Sequence, residues 1–337
     1  MRHIPVLLNE ALDSLQLKPN QNAVDCTLGD AGHSEAMLEK IAPKGKLLGI
    51  DLDTEAVLRA KRFLYRFEDR AVIVKNNFVN LKKIIEENNF PATSLLEQSA
   101  RVRSSQQAVS GKLSINAILM DLGWSSPQFE ERGRGFSFQT DEPLDMRYST
   151  AEKETAADIV NSYNEQELAS IFKNFGEEKL SKEIAKAIVS FTKHRVSKDA
   201  TRYDSAESNK KIERTGELTE IILQVYRIKL RTDKAIPWIG GLHPATKVFQ
   251  ALRMAVNHEL ENLKSVLPQA VDLLASGGRL AVITFHSLED RIVKQYFKSM
   301  ANKTIKLINK KPISATDEEI RLNPRSRSAK LRVIEKL

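Results

Sequence analysis

The chain has 337 residues, 52 Lys and Arg against 44 Asp and Glu for a formal charge of +8, and one cysteine. That length holds one large domain or, more readily, two. The lone Cys26 excludes an intramolecular disulfide framework and fits a reducing compartment, while the basic balance suits a polyanionic partner, although many basic proteins simply carry solvated basic faces. No apolar run reaches membrane-span length and the first eleven residues lack a signal-peptide core or an Arg-rich transit pattern. The six histidines show no metal-ligand spacing. The chain therefore reads as a cytoplasmic protein with no metal.

In chain order, HIPVLL leads into a short helical pattern over 9–15, and a turn at Pro19 and Asn20 precedes the most informative stretch, residues 23–53. There a short apolar strand runs into Asp25, Gly29 and Gly32 punctuate a turn, and a helical run over 37–41 is broken by Pro43 and Gly45. A second strand over 46–50 ends at Asp51. This is a βαβ unit, with Asp51 at a strand's carboxyl end. Glycines admit a ligand close to the backbone, a helix start offers unpaired N–H groups, and an acid after strand two accepts from ribose hydroxyls, so an adenosine-containing ligand fits. The loop is Gly29, Asp30, Ala31, Gly32 rather than G-x-G-x-x-G, with an acid where a phosphate would be repelled. An adenosine ligand carrying a cation, such as S-adenosylmethionine, suits that charge. An ordinary βαβ turn whose glycines only relieve strain is the alternative.

A helix over 54–67 and a third strand over 71–74 follow. Phe78, just past that strand, either packs on an adenine ring or is a plain core residue. Residues 81–88 read as helix and the Ser- and Gln-rich 97–112 as a surface loop. INAILM over 115–120 is a buried strand ended by Asp121, and LGWSSPQ carries Gln128 onto the edge shared by Gly32, Asp51 and Phe78. Residues 129–241 lack strand-forming runs. GRGFSF and DEPLDMR are irregular, helices are expected over 156–175, 177–192 and 216–230, and 196–214 is polar. This reads as a helical insertion dividing a sheet domain made of 1–128 and 242–337. A long amphipathic pattern over 244–274 is expected to break at Pro268. Gly277 and Gly278 turn into the strand LAVITF, a helix follows His286, and RVIEKL forms a closing strand.

Together, HIPVLLNEAL, DCTLGDAGHS, GIDLD, DLGWSSPQ, ERGRGFSF, PLDMR, GEEKLSKEIAKAIV, HPATKVFQALRMAVNHELENL, GGRLAVITFHSLEDRIVK and NPRSRSAKLR resemble the bacterial small-subunit (16S) ribosomal RNA cytosine-N4 methyltransferases. These ten blocks run in order from His3 to the C-terminal region. The resemblance implies an α/β fold: a doubly wound, Rossmann-like methyltransferase sheet with an inserted helical substrate domain. It implies S-adenosylmethionine as cofactor, held by Ala31, Gly32, His33, Asp51, Phe78, Asp121 and Gln128. The implied reaction is methylation of the exocyclic N4 of a cytidine in the decoding region, with small-subunit ribosomal RNA or the assembled subunit as partner. Ala31 stands where a second glycine is usual, placing a methyl group at the donor contact. Asp30 and Trp124 also depart from the family, and 97–112 and 199–214 look inserted.

A cytosine amino group is a poor nucleophile because its lone pair is delocalised into the ring, so acceptors against its N–H bonds favour the reactive geometry. Asp121, with the carbonyls of Leu122 or Gly123, is the candidate acceptor; the alternative is that Asp121 only contacts the donor. His286 either orients RNA and takes the amine's proton or is a hydrogen-bonded structural residue. Asp145 and Arg147 either meet the nucleotide or tie the insertion to the sheet. Cys26 reads as a small buried residue, not the nucleophile that C5 methylation employs. Lys310, Lys311, Arg325, Arg327, Lys330 and Arg332 form a basic tail suited to phosphates, or a solvated one. Methylation of DNA or protein, and non-catalytic RNA binding, are the competing functions.

Overall fold

A computed structural model describes residues 4–90, 115–122, 133–193, 210–234, 236 and 241–337. The chain divides into one unit formed by Met1–Ser125 and Leu260–Leu337 and a second formed by Ser126–Glu259.

The first unit opens with α1 (Leu8–Leu15), then alternates β1 (Ala23–Asp25), α2 (Gly32–Lys40), β2 (Leu47–Asp51), α3 (Thr54–Phe63), β3 (Ala71–Lys75), α4 (Leu81–Glu87) and β4 (Ile115–Asp121). The helix expected over 54–67 stops at Phe63, and a 3-10 segment, Tyr65–Arg70, interrupted at Glu68 by φ 51°, turns the chain into β3. β1, β2 and β4 are almost wholly apolar because both faces are covered. Val24, Leu48, Ile118 and Met120 join one core cluster, and Ala23, Leu47, Ala117 and Leu119 join the other.

The second unit is helical: α5 (Ala156–Ser162), α6 (Glu165–Asn174), α7 (Ser181–Thr192), α8 (Thr215–Leu230) and α9 (Thr246–Val256). The single helix expected over 156–175 is two, because Tyr163 is extended and Asn164 starts a new helix with a reciprocal capping box to Glu167. PLDMR ties to itself: Arg147 Nε and Nη2 donate to the two Asp145 oxygens at 2.8 and 2.7 Å, and the Asp145 carbonyl accepts the Ala156 amide at the start of α5. The pair is internal to this unit, not a tether to the sheet.

The first unit resumes with α10 (Glu259–Leu273), β5 (Leu274–Thr284), α11 (Ser287–Met300), β6 (Ile305–Leu307), α12 (Asp317–Leu322) and β7 (Lys330–Lys336). The break expected at Pro268 lies instead at Asn257 and His258, the latter at φ 50°. Pro268 sits inside α10 on its exposed side, as does Lys264, whose carbonyl it cannot satisfy. The Gly277 turn survives as an irregularity in β5, where pairing with β4 jumps from Leu274 to Arg279.

The sheet order is β3-β2-β1-β4-β5-β7-β6. The first five strands in that order pair in parallel, and β7 is antiparallel to both β5 and β6. Winding outward from β1 to β3 and then returning to β4 makes a doubly wound sheet whose direction reverses between β1 and β4. A crevice outside the strand ends is expected there. No helix among the described residues is long and apolar enough to cross a membrane.

Candidate active site at the strand ends

The parallel register sets Asp25, Asp51 and Asp121 at the carboxyl ends of β1, β2 and β4, three adjacent strands. Each acid is held differently. Asp25, 1 % exposed, accepts from the Thr27 amide at 3.0 Å and from the Ser34 hydroxyl at 2.7 Å, an Asx-type turn that bends the chain out of β1. Asp51 accepts from the Gly29 amide and the Asp53 amide, both at 2.8 Å. Burial pushes the Asp51 carboxyl up to about 6, with the neighbouring charges of Asp53 and Asp25 adding to the rise and the two amides opposing it. Asp53, the second acid of GIDLD, caps α3 through the Glu55 and Ala56 amides.

Asp121 donates its amide to Thr27 Oγ1 at 2.7 Å, and its Oδ2 lies 3.7 Å from His33 Nδ1. The other ring nitrogen of His33 is 3.1 Å from the Val6 carbonyl. Phe78 follows β3 at the start of a 3-10 turn capped by Asn77 and is partly buried against the sheet's core. Gly32, Asp51, Phe78 and Asp121 thus lie at one edge of the sheet, the arrangement expected from sequence. Gln128, Gly123 and Trp124 lie outside the described residues, as do 97–112 and much of 199–214.

Three expectations change. Ala31, at φ 60°, is fully buried in the cluster that holds Val6 and Leu7, so its methyl group points into the core rather than at a donor contact. Gly32 is bare for a reason internal to the fold: a Cβ there would stand 2.3 Å from Pro5 Cγ. Asp30 is paired with Arg59 Nε at 2.9 Å, so the case for a cationic ligand passes from Asp30 to the acids at the strand ends. Residues missed from sequence are Thr27, Ser34 and Val6; the first two carry the signal of hydroxyls spaced two and nine residues after a strand-ending acid.

His286 caps α11. Its Nδ1 accepts from the Glu289 amide at 3.4 Å, and its Nε2 lies 3.0 Å from Glu289 Oε1. The other Glu289 oxygen accepts the Phe285 amide. Cys26 is buried, and burial followed by the Asp25 charge raises its thiol well above the ordinary range. In the basic tail, Arg332 lies in β7 and is 7 % exposed with Asp290 at 2.6 Å, and Lys330 Nζ is 3.8 Å from the same acid. These two cations serve the fold, whereas Lys310, Lys311 and Arg327 are exposed.

The described acids suit a hydroxyl-rich, positively charged ligand. Asp51 retains acceptor capacity beyond its two amide contacts, and burial, aided by the neighbouring acids Asp53 and Asp25, raises its carboxyl.

The sequence profile of the MraW methylase family matches residues 1–337. A ribosomal RNA small subunit methyltransferase H from Clostridium botulinum (strain Loch Maree / Type A3) is 41% identical, covering 100% of this chain and 99% of its own. Proteins of the same name from Paenibacillus sp. (strain JDR-2) and Clostridioides difficile (strain 630) are 42% and 40% identical, over 100% and 99% of this chain and 99% of theirs. A solved putative rRNA-methylase from Clostridium thermocellum aligns over 99% of this chain and 100% of its own at 12% identity, with a TM-score of 0.44.

Proposed function

We propose, from the premise that the chain belongs to the MraW methylase family, that it methylates small-subunit ribosomal RNA with S-adenosylmethionine as donor, acting in the cytoplasm on the exocyclic N4 of a cytidine in the decoding region. Three full-length relatives, each named a ribosomal RNA small subunit methyltransferase, support the substrate class. The single observation that carries the donor reading is Asp51: a raised carboxyl at a parallel strand's end, oriented by the Gly29 and Asp53 amides.

In this reading Asp51 accepts from the ribose hydroxyls, Phe78 packs on the adenine, and Gly32 and His33 at the start of α2 form the wall beside them, with Ala31 buried behind. Gln128 completes the set by resemblance. The bound sulfonium supplies an electrophilic methyl carbon, which an amine nitrogen displaces in line. Asp121 accepts an N–H of that amine and draws its lone pair out of conjugation, and the proton released after transfer goes to this carboxylate or to water. His286 is the second candidate for that proton. The use of its Nδ1 to cap α11 through the Glu289 amide favours Asp121. The second unit, Ser126–Glu259, which extends past the inserted domain expected over 129–241 to take in α9, carries recognition of the RNA, and no residue in this scheme calls for a metal.

Labelled donor incubated with small-subunit particles, free RNA, DNA and protein tests the reading. Label in one cytidine of the small-subunit RNA is the expected result. Label confined to DNA or protein, or no label in any fraction, overturns it.

A further inference from the structure

We propose that Glu319 and Asn323 are positioning residues for the donor loop, acting through residues 4–7; this rests on the reading of the β1–α2 loop as part of the donor site. Segment 4–7 is anchored at both ends from the far end of the chain. Glu319 Oε1 accepts the Leu7 amide at 2.7 Å, and Asn323 Nδ2 donates to the Ile4 carbonyl at 3.1 Å. Its two middle residues face the donor loop. The Pro5 ring fills the space where Gly32 lacks a side chain, and the Val6 carbonyl holds His33 Nε2 at 3.1 Å. The opposite nitrogen of that ring faces Asp121 at 3.7 Å. One strap therefore fixes both the main-chain entry to α2 and the orientation of the imidazole that looks toward the end of β4.

The local chemistry of both partners is unusual in the same sense. Leu7 is the N-cap of α1, sits at φ 52° and offers no side-chain cap, so its conformation is held by what its amide meets. On the other side, Thr316 and Glu319 have the spacing of a capping box, and Thr316 does accept the Glu319 amide at 3.2 Å. The reciprocal half is diverted: the Glu319 carboxylate reaches across to Leu7 rather than back to its own helix. Asn323 is 8 % exposed, and its amide is bonded to the Glu319 carbonyl, which couples the two anchors.

The test compares Glu319→Ala, Glu319→Gln and Asn323→Ala with Thr316→Ala, which loosens the same helix without touching the strap. Donor affinity is read by calorimetry with S-adenosylhomocysteine, and strap opening by hydrogen exchange of the amides of residues 29–35 in ligand-free protein. Glu319→Ala and Asn323→Ala are expected to weaken affinity and to speed exchange by about 3- to 10-fold, the range for a lost hydrogen bond. KM for donor rises with them and KM for RNA stays level. Glu319→Gln keeps an acceptor oxygen and restores both readouts. Wild-type exchange rates in Glu319→Ala and Asn323→Ala, or equal weakening by Thr316→Ala, overturn the assignment. Absence of any heat with wild-type protein would instead sink the donor-site reading, and the exchange measurement, which needs no ligand, still decides the strap. Should Glu319→Ala fail to fold, Asn323→Ala carries both readouts.

Discussion

His33 Nδ1 lies 3.7 Å from Asp121 Oδ2, so the start of α2 and the end of β4 converge on one carboxylate. The same acid's amide is bonded to Thr27 Oγ1, which fixes the main chain at the end of β4. Asp121→Asn keeps the size and removes the charge. The expected result is a fall in turnover of about 10- to 100-fold, the cost of losing one hydrogen bond to a charged group, with donor affinity changed by much less. Separate measurements of kcat and donor Kd check this; near-normal turnover removes Asp121 from the chemistry.

Asp51 makes the site pH-dependent. Its folded carboxyl is raised to about 6, chiefly by burial. A raised acid contributes stability that is present below the ordinary carboxylate range and lost as pH rises through about 6. Through this group the ligand-free protein is therefore expected to lose melting temperature as pH rises from about 4 through about 6, and Asp51→Asn removes that component. Donor affinity runs the other way, rising with pH as the carboxylate forms and becomes a full acceptor for ribose hydroxyls. Donor titrations across that window that stay flat in wild type dissociate Asp51 from the ligand.

Much of this edge was legible in sequence because strand ends are marked by acids after short apolar runs: Asp25, Asp51 and Asp121 all announce themselves so. The reason for Gly32 was not legible. Its bare Cα serves Pro5, twenty-seven residues earlier, and no local pattern reports a packing partner at that separation. Ala31 was misread for the same reason, since a left-handed residue directs its Cβ by backbone conformation, which composition does not reveal. Arg332 illustrates the converse: in a basic tail it reads as a phosphate contact, yet alternation in β7 turns it inward onto Asp290.

Gly32→Ala inserts a methyl group into the Pro5 ring. Alanine is the better helix former, but overpacking of a closed contact costs about 1–3 kcal/mol and outweighs that gain. A lower melting temperature and weaker donor binding are expected, and Pro5→Ala in the same molecule should recover part of both. Additive losses in the double variant, measured by denaturant titration, would falsify the contact as the cause.

His286 is expected to matter for folding more than for rate. His286→Asn preserves an acceptor at the N-cap of α11 and should retain methylation over the whole pH range, whereas His286→Ala loses about 1 kcal/mol of stability. A pH–rate profile that loses its acidic limb in His286→Asn, at unchanged melting temperature, assigns the ring a proton-transfer role after all.

Cys26 separates two kinds of cytosine methylation. Methylation at ring C5 employs a thiolate that adds to the neighbouring ring C6, and thiolate formation here is opposed twice, by burial at 1 % exposure and by the charge of the adjacent Asp25. An exocyclic nitrogen needs no covalent adduct. Cys26→Ala should therefore keep methyl transfer within a few-fold while lowering stability by about 1–2 kcal/mol for the lost packing of a small core side chain. Alkylating reagents are expected to leave the native thiol untouched and to modify it on unfolding. If Cys26→Ala melts normally but transfers no methyl group, and mass analysis finds the wild-type product methylated on carbon, the amino group is not the acceptor.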